Sequence, residues 1–415
     1  MKKNAIQLAI IGLGGRGRGL MNDCVLPREN VVVAALCDLY EDKMQMACDT
    51  VMKEKGYRPL MTTDYHEILA MKPDAVLISS AWESHIPIAI DAMKAGIPVA
   101  CEVGGAYTLE DCFRLVRTYE ETKTPIMMLE NCCYGREELL VMNMVRQGLF
   151  GEVVSCEGGY RHDLRREVTR GEELRHYRLR NYQHRNCENY PTHELGPIAK
   201  ILNINRGNRM ISLVSMASKA AGLNEYVRQK QGADHPLASY PFAQGDVVTT
   251  IIKCAHGETI TLTLDTCLPR FYSRNFNIHG TKALYHEDTR SLFIDGEHDP
   301  FHFEWKEQWN NIEKYYEKYE HPIWKKSLED GVRGGHGGMD WLEFNAFFEA
   351  LTEKHEMPVD VYDMAAWMAI TPLSEQSIAQ GSAPVAIPDF TNGMWTMRKP
   401  EENWLYRLSD VYEEK

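Results

Sequence analysis

The stretch Ile6-Gln7-Leu8-Ala9-Ile10-Ile11-Gly12-Leu13-Gly14-Gly15-Arg16-Gly17-Arg18-Gly19 decides the fold. Ile6 to Ile11 is a short run of strand-forming residues, and Gly12, Gly14 and Gly17 follow it as G-x-G-x-x-G. Arg18 to Asn22 reads as the start of a helix. Alone, the glycine motif says little. With a strand before it, a helix after it and an acid ending the next strand, it becomes the turn that holds a dinucleotide. Val31 to Cys37 is that next strand, and Asp38 closes it 26 positions after Gly12. Gly12 would permit the tight turn, Gly14 would let the backbone approach a pyrophosphate, and Gly17 would let helix and strand pack closely. Asp38 would accept hydrogen bonds from the adenosine ribose and disfavour a 2′-phosphate, so NAD is expected over NADP. Arg16 and Arg18 weaken that preference, because an arginine there could receive a phosphate. A glycine-rich turn with no cofactor is the bland alternative.

Outward from this turn, strands and helices alternate. Helices are predicted over Met44 to Lys55, Thr63 to Met71, His85 to Ala95 and Leu109 to Thr122. Strands are predicted over Ala75 to Ser79, Pro98 to Cys101 and Pro125 to Leu129. This alternation means βαβ units and a parallel sheet covered on both faces. Beyond residue 130 the pattern changes. Arg136 to Arg146 reads as a helix, and long β-rich runs follow at Val153 to Tyr160, Ile211 to Ala217, Val247 to Cys254, Thr259 to Asp265 and Asn275 to His279. Short glycine-containing connections such as His256-Gly257 make neighbours antiparallel. Helices are predicted at Thr192 to Leu202, Asp340 to Leu351, Val361 to Met368 and Leu373 to Ala379. Gly296 to Lys326 has no clear period and reads as a surface excursion or lid. The expected architecture is α/β plus α+β: a Rossmann-type parallel-sheet domain over 1–130, and a substrate-binding and oligomerisation domain over 131–415 on a mainly antiparallel open sheet.

Composition narrows the function. At roughly 100–200 residues per domain, 415 residues fit two or three domains. Asp plus Glu outnumber Lys plus Arg by 59 to 46, a net charge of -13, which argues against nucleic acid as a partner. The basic run Arg161 to Arg166 is too short to reverse that. No apolar run approaches the ~20 residues that span a bilayer, so no membrane partner is expected. The apolar stretch Ala5 to Leu13 runs straight into glycines and is too short for a secretory leader. As the sequence stands, the location is cytoplasmic; a removed leader would make it periplasmic. The 11 cysteines include no C-x-x-C pair, which fits a reduced chain without structural zinc.

Ligands bind parallel sheets outside the carboxyl ends of the strands. The segments there are the glycine turn, Ser80 to His85, Glu102 to Gly105, and Glu130-Asn131; helix capping is the plain alternative for Ser84 and Asn131. In the second half, Tyr160 to Arg165, Tyr177-Arg178, His184 to Asn186 and Asn189 to Pro197 form a dense polar set. Pro191 favours an extended residue before it, and Thr192 is suited to cap a helix starting near His193. A histidine at a helix N-terminus has its neutral form favoured, which suits a proton acceptor. A satisfied structural histidine is the competing reading. No H-E-x-x-H or comparable spacing appears, so no metal is expected.

These residues carry a resemblance. The chain is similar to the glucose–fructose oxidoreductase/inositol dehydrogenase superfamily and, within it, to glycoside hydrolase family 109, founded on an NAD-dependent α-N-acetylgalactosaminidase. The matching stretches are the glycine turn, W-x-x-H at Trp82 to His85, Glu102-Val103, MLENCCY at Met128 to Tyr134 and MVRQGLFG at Met144 to Gly151. They continue with GYRHDLR at Gly159 to Arg165, RN-x-x-x-YPTH at Arg185 to His193, LGPIAKILNINRGNR at Leu195 to Arg209 and SMASKAAGL at Ser215 to Leu223. RFYSRNF at Arg270 to Phe276, GHGGMD at Gly335 to Asp340 and VYDMAAWMAITPLSEQSIA at Val361 to Ala379 complete them.

The resemblance implies that Gly12, Gly14, Arg16, Gly17, Asp38, Trp82, His85, Glu102, Val103 and Asn131 hold NAD. It implies that Tyr160, Arg178, Tyr190, Thr192, His193 and Tyr272 meet the sugar, with His193 and Tyr190 moving protons. It implies a glycosidase that oxidises the sugar transiently at C3, eliminates the C1 group with loss of the C2 proton, adds water and re-reduces C3, acting on α-N-acetylgalactosaminides or related glycosides. Such enzymes depart from the usual carboxylate pair. A homo-oligomer, dimer or tetramer, built on the open sheet face is also implied. Two departures stand out: Gly104-Gly105 where the family usually has proline, and Glu194 where it usually has glycine. The alternatives are an NAD-dependent sugar or polyol dehydrogenase of the same superfamily, or a non-catalytic relative. The Glu-Lys-Pro lysine of many such dehydrogenases is missing from Cys101-Glu102-Val103-Gly104, which counts against the first. The sugar and its anomeric form are not readable from sequence.

Overall fold

The computed structural model describes residues 5–301, 304–399 and 403–409. Met1 to Asn4 and the side chain of Glu194 lie outside the described set. Six parallel strands form the first sheet: β1 Ile6–Ile11, β2 Val31–Cys37, β3 Leu60–Thr62, β4 Ala75–Ile78, β5 Val99–Glu102 and β6 Ile126–Leu129. Their order is β3-β2-β1-β4-β5-β6. All residues of β4, β5 and β6 are buried, as a parallel sheet between helices requires. The covering helices are α1 Gly15–Leu20, α2 Glu41–Lys55, α3 Tyr65–Met71, α4 Trp82–Lys94 and α5 Leu109–Thr122. Strand order reverses between β1 and β4, and a ligand crevice belongs at that switch point.

The helix α6, Arg136–Arg146, leads into a second sheet. Its strands are β7 Val153–Arg161, β8 Met210–Ala217, β9 Val247–Cys254, β10 Thr259–Asp265, β11 Asn277–Gly280, β12 Ala283–His286, β13 Ser291–Ile294 and β14 Val385–Ala386. The order is β13-β12-β11-β7-β10-β9-β8-β14, with only the β7–β10 pair parallel. Val248, Thr250, Ile252, Ile260, Leu262 and Leu264 point inward, while their neighbours in sequence face out, the period-2 signature of a sheet packed on one side. The helices Thr192–Ile201 and Ile370–Ala379 pack on this sheet, and Ser377 Oγ accepts a hydrogen bond from the Ser215 amide at 2.9 Å. Val154, Ile211, Met216 and Ile251 are exposed on the other face.

The segment Gly296 to Lys326 is not a lid. Helices at Trp305–Gln308, Tyr316–Tyr319 and Pro322–Asp330 run through it, and Ile312, Tyr315, Tyr316, Tyr319, Ile323 and Trp324 are buried. Trp324 Nε1 donates to the Tyr134 carbonyl at 2.9 Å, and Asn143 Nδ2 to the Tyr319 carbonyl at 2.8 Å, so the segment is anchored against α6. Among the described residues, no helix is long and apolar enough to cross a membrane.

Candidate active site

The glycine turn lies at the switch point with the geometry its spacing predicts. Gly12 has φ +97°, and a Cβ there would fall 2.4 Å from the Ser80 amide nitrogen. At Gly17 a Cβ would meet the Gly12 carbonyl at 2.1 Å. At Gly14 a Cβ would find nothing within 4 Å, so that face of the turn is open to a ligand. Asp38, at the end of β2, is fixed by hydrogen bonds from the Leu13 amide at 2.7 Å and the Tyr40 amide at 3.0 Å. Two tight glycines, one open glycine and a fixed acid at this place fit a dinucleotide. Arg16 is turned away from the role of phosphate receiver. Its Nε donates to Glu102 Oε1 at 2.9 Å, and its Nη1 and Nη2 donate to Asp340 at 2.7 and 3.1 Å.

The other expected cofactor residues surround this turn. Trp82 starts α4 and is buried, as are Glu102 and Val103 at the end of β5 and Asn131 after β6. His85 lies beneath the post-β4 turn, with Nε2 3.0 Å from the Ser80 carbonyl. Burial pushes its pKa down to about 4, so it is a neutral imidazole that shapes the turn. The Gly104-Gly105 departure has a steric reason. A Cβ on Gly104 would lie 2.4 Å from Trp82 Cδ1, and one on Gly105 would lie 2.0 Å from Thr371 Oγ1.

Facing these residues, the second half supplies an aromatic basket. Tyr160 and Tyr190 have ring centroids 4.3 Å apart, Trp82 lies 5.5 Å from Tyr190, and Tyr272 meets Tyr160 edge-on at 6.4 Å. Arg178 lies over Trp82 and Tyr190 at 5.1 and 5.2 Å. Its guanidinium is buried, with Nε 3.1 Å from Glu167 Oε1, while Nη1 makes no hydrogen bond among the described residues. An orphaned donor among aromatic faces is what a polar ligand would satisfy. Sequence reading placed Tyr177 and His162 in the polar set without a role; Tyr177 is a wall of this basket, 4.9 Å from Trp82, and His162 Nδ1 is 3.0 Å from Tyr160 Oη. The segment between β7 and the helix Thr192–Ile201 also reaches back to the first sheet. Arg175 pairs with Asp42 at 2.6 Å and lies over the Tyr40 ring at 4.3 Å, and Arg180 pairs with Glu83.

Thr192 does not cap the helix at the basket floor: it is the first helical residue, and Pro191 occupies the cap position. His193 is the second helical residue. Its Nδ1 is 2.8 Å from Glu130 Oε1, and its Nε2 is 3.3 Å from Tyr190 Oη. Glu130 is fully buried. Burial alone would raise its pKa, but the contacts with His193, Thr192 and the Cys132 amide together outweigh it and hold the carboxyl below its usual range. An ionised Glu130 selects the Nδ1–H tautomer and leaves the Nε2 lone pair toward Tyr190. Burial pushes the Tyr190 phenol up, so it enters as a hydroxyl donor. Glu130 was passed over as a proton-relay member because it follows β6, 63 positions from His193. Cys132 Sγ completes a set of three potential metal ligands with Glu130 and His193, all within 4.8 Å of one another. The carboxylate and imidazole are joined to each other, and the thiol donates to Asn131 Oδ1 at 3.5 Å.

Residues 6–129 match the family model described as oxidoreductase family, NAD-binding Rossmann fold. Residues 134–397 match that of glycosyl hydrolase 109, C-terminal domain. A glycosyl hydrolase family 109 protein of Stenotrophomonas maltophilia is 42% identical over 95% of this chain and 91% of its own length. An alpha-N-acetylgalactosaminidase of Tannerella forsythia is 39% identical over 95% of this chain and 88% of its own. Among solved structures, an inositol dehydrogenase homolog from Azotobacter vinelandii complexed with NAD+ shares the fold, with a TM-score of 0.66 and 15% identity over 92% of this chain and 97% of that one. With an NAD-binding sheet on one side of the basket and the hydrolase half on the other, the chain belongs to glycosyl hydrolase family 109 and is a glycosidase.

Proposed function

We propose that this glycosidase cleaves α-N-acetylgalactosaminides or closely related glycosides, with NAD held by residues 1–130 and the sugar by residues 131–415. The observation that carries the reading is the Tyr190–His193–Glu130 relay on the floor of a basket walled by Tyr160, Tyr190 and the buried Arg178 guanidinium. When bound, NAD supplies a reversible hydride acceptor for a sugar carbon. The chain's own groups do the rest. Trp82, Tyr160 and Tyr190 stack on the pyranose and exclude water. Arg178 Nη1 donates to a sugar oxygen. Tyr190 Oη, a phenol, relays protons to His193 Nε2, which accepts the C3 hydroxyl proton, gives it up, and then accepts the C2 proton, acidic only while C3 is a ketone; the reverse transfers restore both. Glu130 keeps the imidazole in its accepting tautomer and balances the imidazolium that forms.

Two finer points belong to the same reading. All 11 cysteines are buried and outside disulfides, which supports a reducing compartment. The exposed apolar residues of the second sheet support a homo-oligomer, dimer or tetramer, joined by that face. The function is tested with nitrophenyl glycosides: N-acetyl-α-galactosaminide, and α- and β-linked galactose, glucose and N-acetylglucosamine. Phenolate release from the first without net NADH is the expected result. Steady NADH production from free sugars with no phenolate release would move the protein to the dehydrogenases.

A further inference from the structure

The glycine turn and the Asn131 segment of the first sheet are tied to one carboxylate of the second half. Asp340 is the second residue of the helix Met339–Glu353 and is 2% exposed. It accepts Arg16 Nη1 at 2.7 Å and Nη2 at 3.1 Å, and Asn131 Nδ2 at 2.8 Å. His336 Nδ1, from the glycine-rich loop before the helix, lies 2.8 Å from the same carboxylate. Arg16 extends the network to Glu102 through Nε at 2.9 Å. The turn after β1, the end of β5 and the turn after β6 are three of the segments expected to hold the dinucleotide. The first and third bond Asp340 directly, 324 residues from Arg16 and 209 from Asn131, and the second is linked to it through Arg16.

The charges around this point favour Asp340 as the anchor. Glu343, one turn further on, is fully buried, and neither of its carboxyl oxygens has a hydrogen-bond partner among the described residues. Burial and the nearby Asp340 charge push its pKa well up, so it stands as a neutral acid. The His336 and Arg16 contacts hold Asp340 ionised despite its burial. Its fit is close: a Cβ on Gly335 would lie 2.7 Å from Asp340 Oδ2. Asp340 is placed to act through other residues, because Arg16 and Asn131 already occupy both of its oxygens.

We propose that Asp340 is a positioning residue for the cofactor: it locks the glycine turn and Asn131 in their ligand-holding arrangement and makes NAD retention depend on the second half of the chain. This rests on the NAD reading of the first sheet. Asp340→Asn keeps the shape but turns one acceptor into a donor, which must face Arg16 or Asn131, both donors. Arg16→Lys keeps the charge and removes the two-pronged contact.

The test loads the full-length chain with NAD, passes it through gel filtration and measures the nucleotide extracted from the protein peak. NADH dissociation is followed separately by its fluorescence. Wild-type protein should emerge loaded. D340N and R16K should emerge depleted and release NADH at least tenfold faster, while circular dichroism without nucleotide keeps the wild-type spectrum. Equal release from wild type and both variants would overturn the assignment. A D340N chain that fails to fold leaves R16K to decide by the same release rate. Wild-type protein that takes up no NAD at all would overturn the cofactor reading itself, a distinct result.

Discussion

Replacing Glu130 by Gln keeps the size of the side chain and removes its charge. In the structure Glu130 Oε1 is 2.8 Å from His193 Nδ1 in a fully buried place, so water cannot take over the role of the carboxylate. A charge-assisted hydrogen bond of this kind is worth about 1.5–3 kcal/mol. At 1.36 kcal/mol per tenfold, kcat should fall by about 10–100-fold. The Gln amide is also able to donate to Nδ1, which moves the imidazole proton to Nε2 and blocks proton uptake there. KM should change little, because Glu130 lies behind His193 and away from the aromatic walls. The assay is nitrophenyl N-acetyl-α-galactosaminide hydrolysis with E130Q, His193→Ala and the double variant. H193A should lose about 10²–10⁴-fold as a missing general base, and E130Q should cost almost nothing further in the H193A background. An E130Q enzyme at wild-type rate, or one with the same loss whether or not His193 is present, would refute the relay.

Other consequences are equally direct. Arg178→Met retains most of the stem and removes the guanidinium that faces the aromatic walls; KM should rise at least tenfold with the fold intact by circular dichroism. Burial pushes Glu188 up to about 8, so the folded chain keeps this proton while the unfolded chain loses it near the ordinary carboxylate value; stability should fall as pH rises from about 4.5 toward 8, and Glu188→Gln should flatten that fall by a few kcal/mol in denaturant melts at pH 5 and pH 8. Lys200 Nζ is 2.5 Å from Asp363 Oδ2 with both groups buried, so Asp363→Ala strands a buried ammonium and should cost about 3–5 kcal/mol in urea unfolding. Gly104→Ala drives a methyl into Trp82, and it should damage turnover more than global stability, read from kcat and the melting temperature together.

What the sequence disclosed, and what it hid, follows from where the signals are local. The strands of the first sheet are legible because burial on both faces makes them short apolar runs between turns. β3 escaped notice because it has three residues, two of them exposed. The helices Arg165–Thr169, Gly171–Leu174 and Arg178–His184 were missed for another reason. They are very short, and pairs such as Arg165–Asp163 and Arg170–Glu173 hold the first two in place of an apolar stripe. The mistaken lid at Gly296 to Lys326 hides buried tyrosines whose hydroxyls are satisfied by acids, as Tyr315 Oη is by Glu297 at 2.6 Å, so its core residues read as polar. At the site, Tyr190 and His193 were found because they share one turn of chain. Glu130 and Asp340 act across 63 and 324 residues, and no local pattern carries such pairings.

The central claim is that the glycosidic bond is broken by elimination after a transient oxidation, with Tyr190 and His193 handling the protons. Turnover of an N-acetyl-α-galactosaminide in deuterated water, followed by NMR of the released sugar, tests it most directly. The account predicts deuterium at C2 of the product, lost in His193→Ala together with the rate. Rapid hydrolysis by the wild-type protein with the C2 proton fully retained would contradict it.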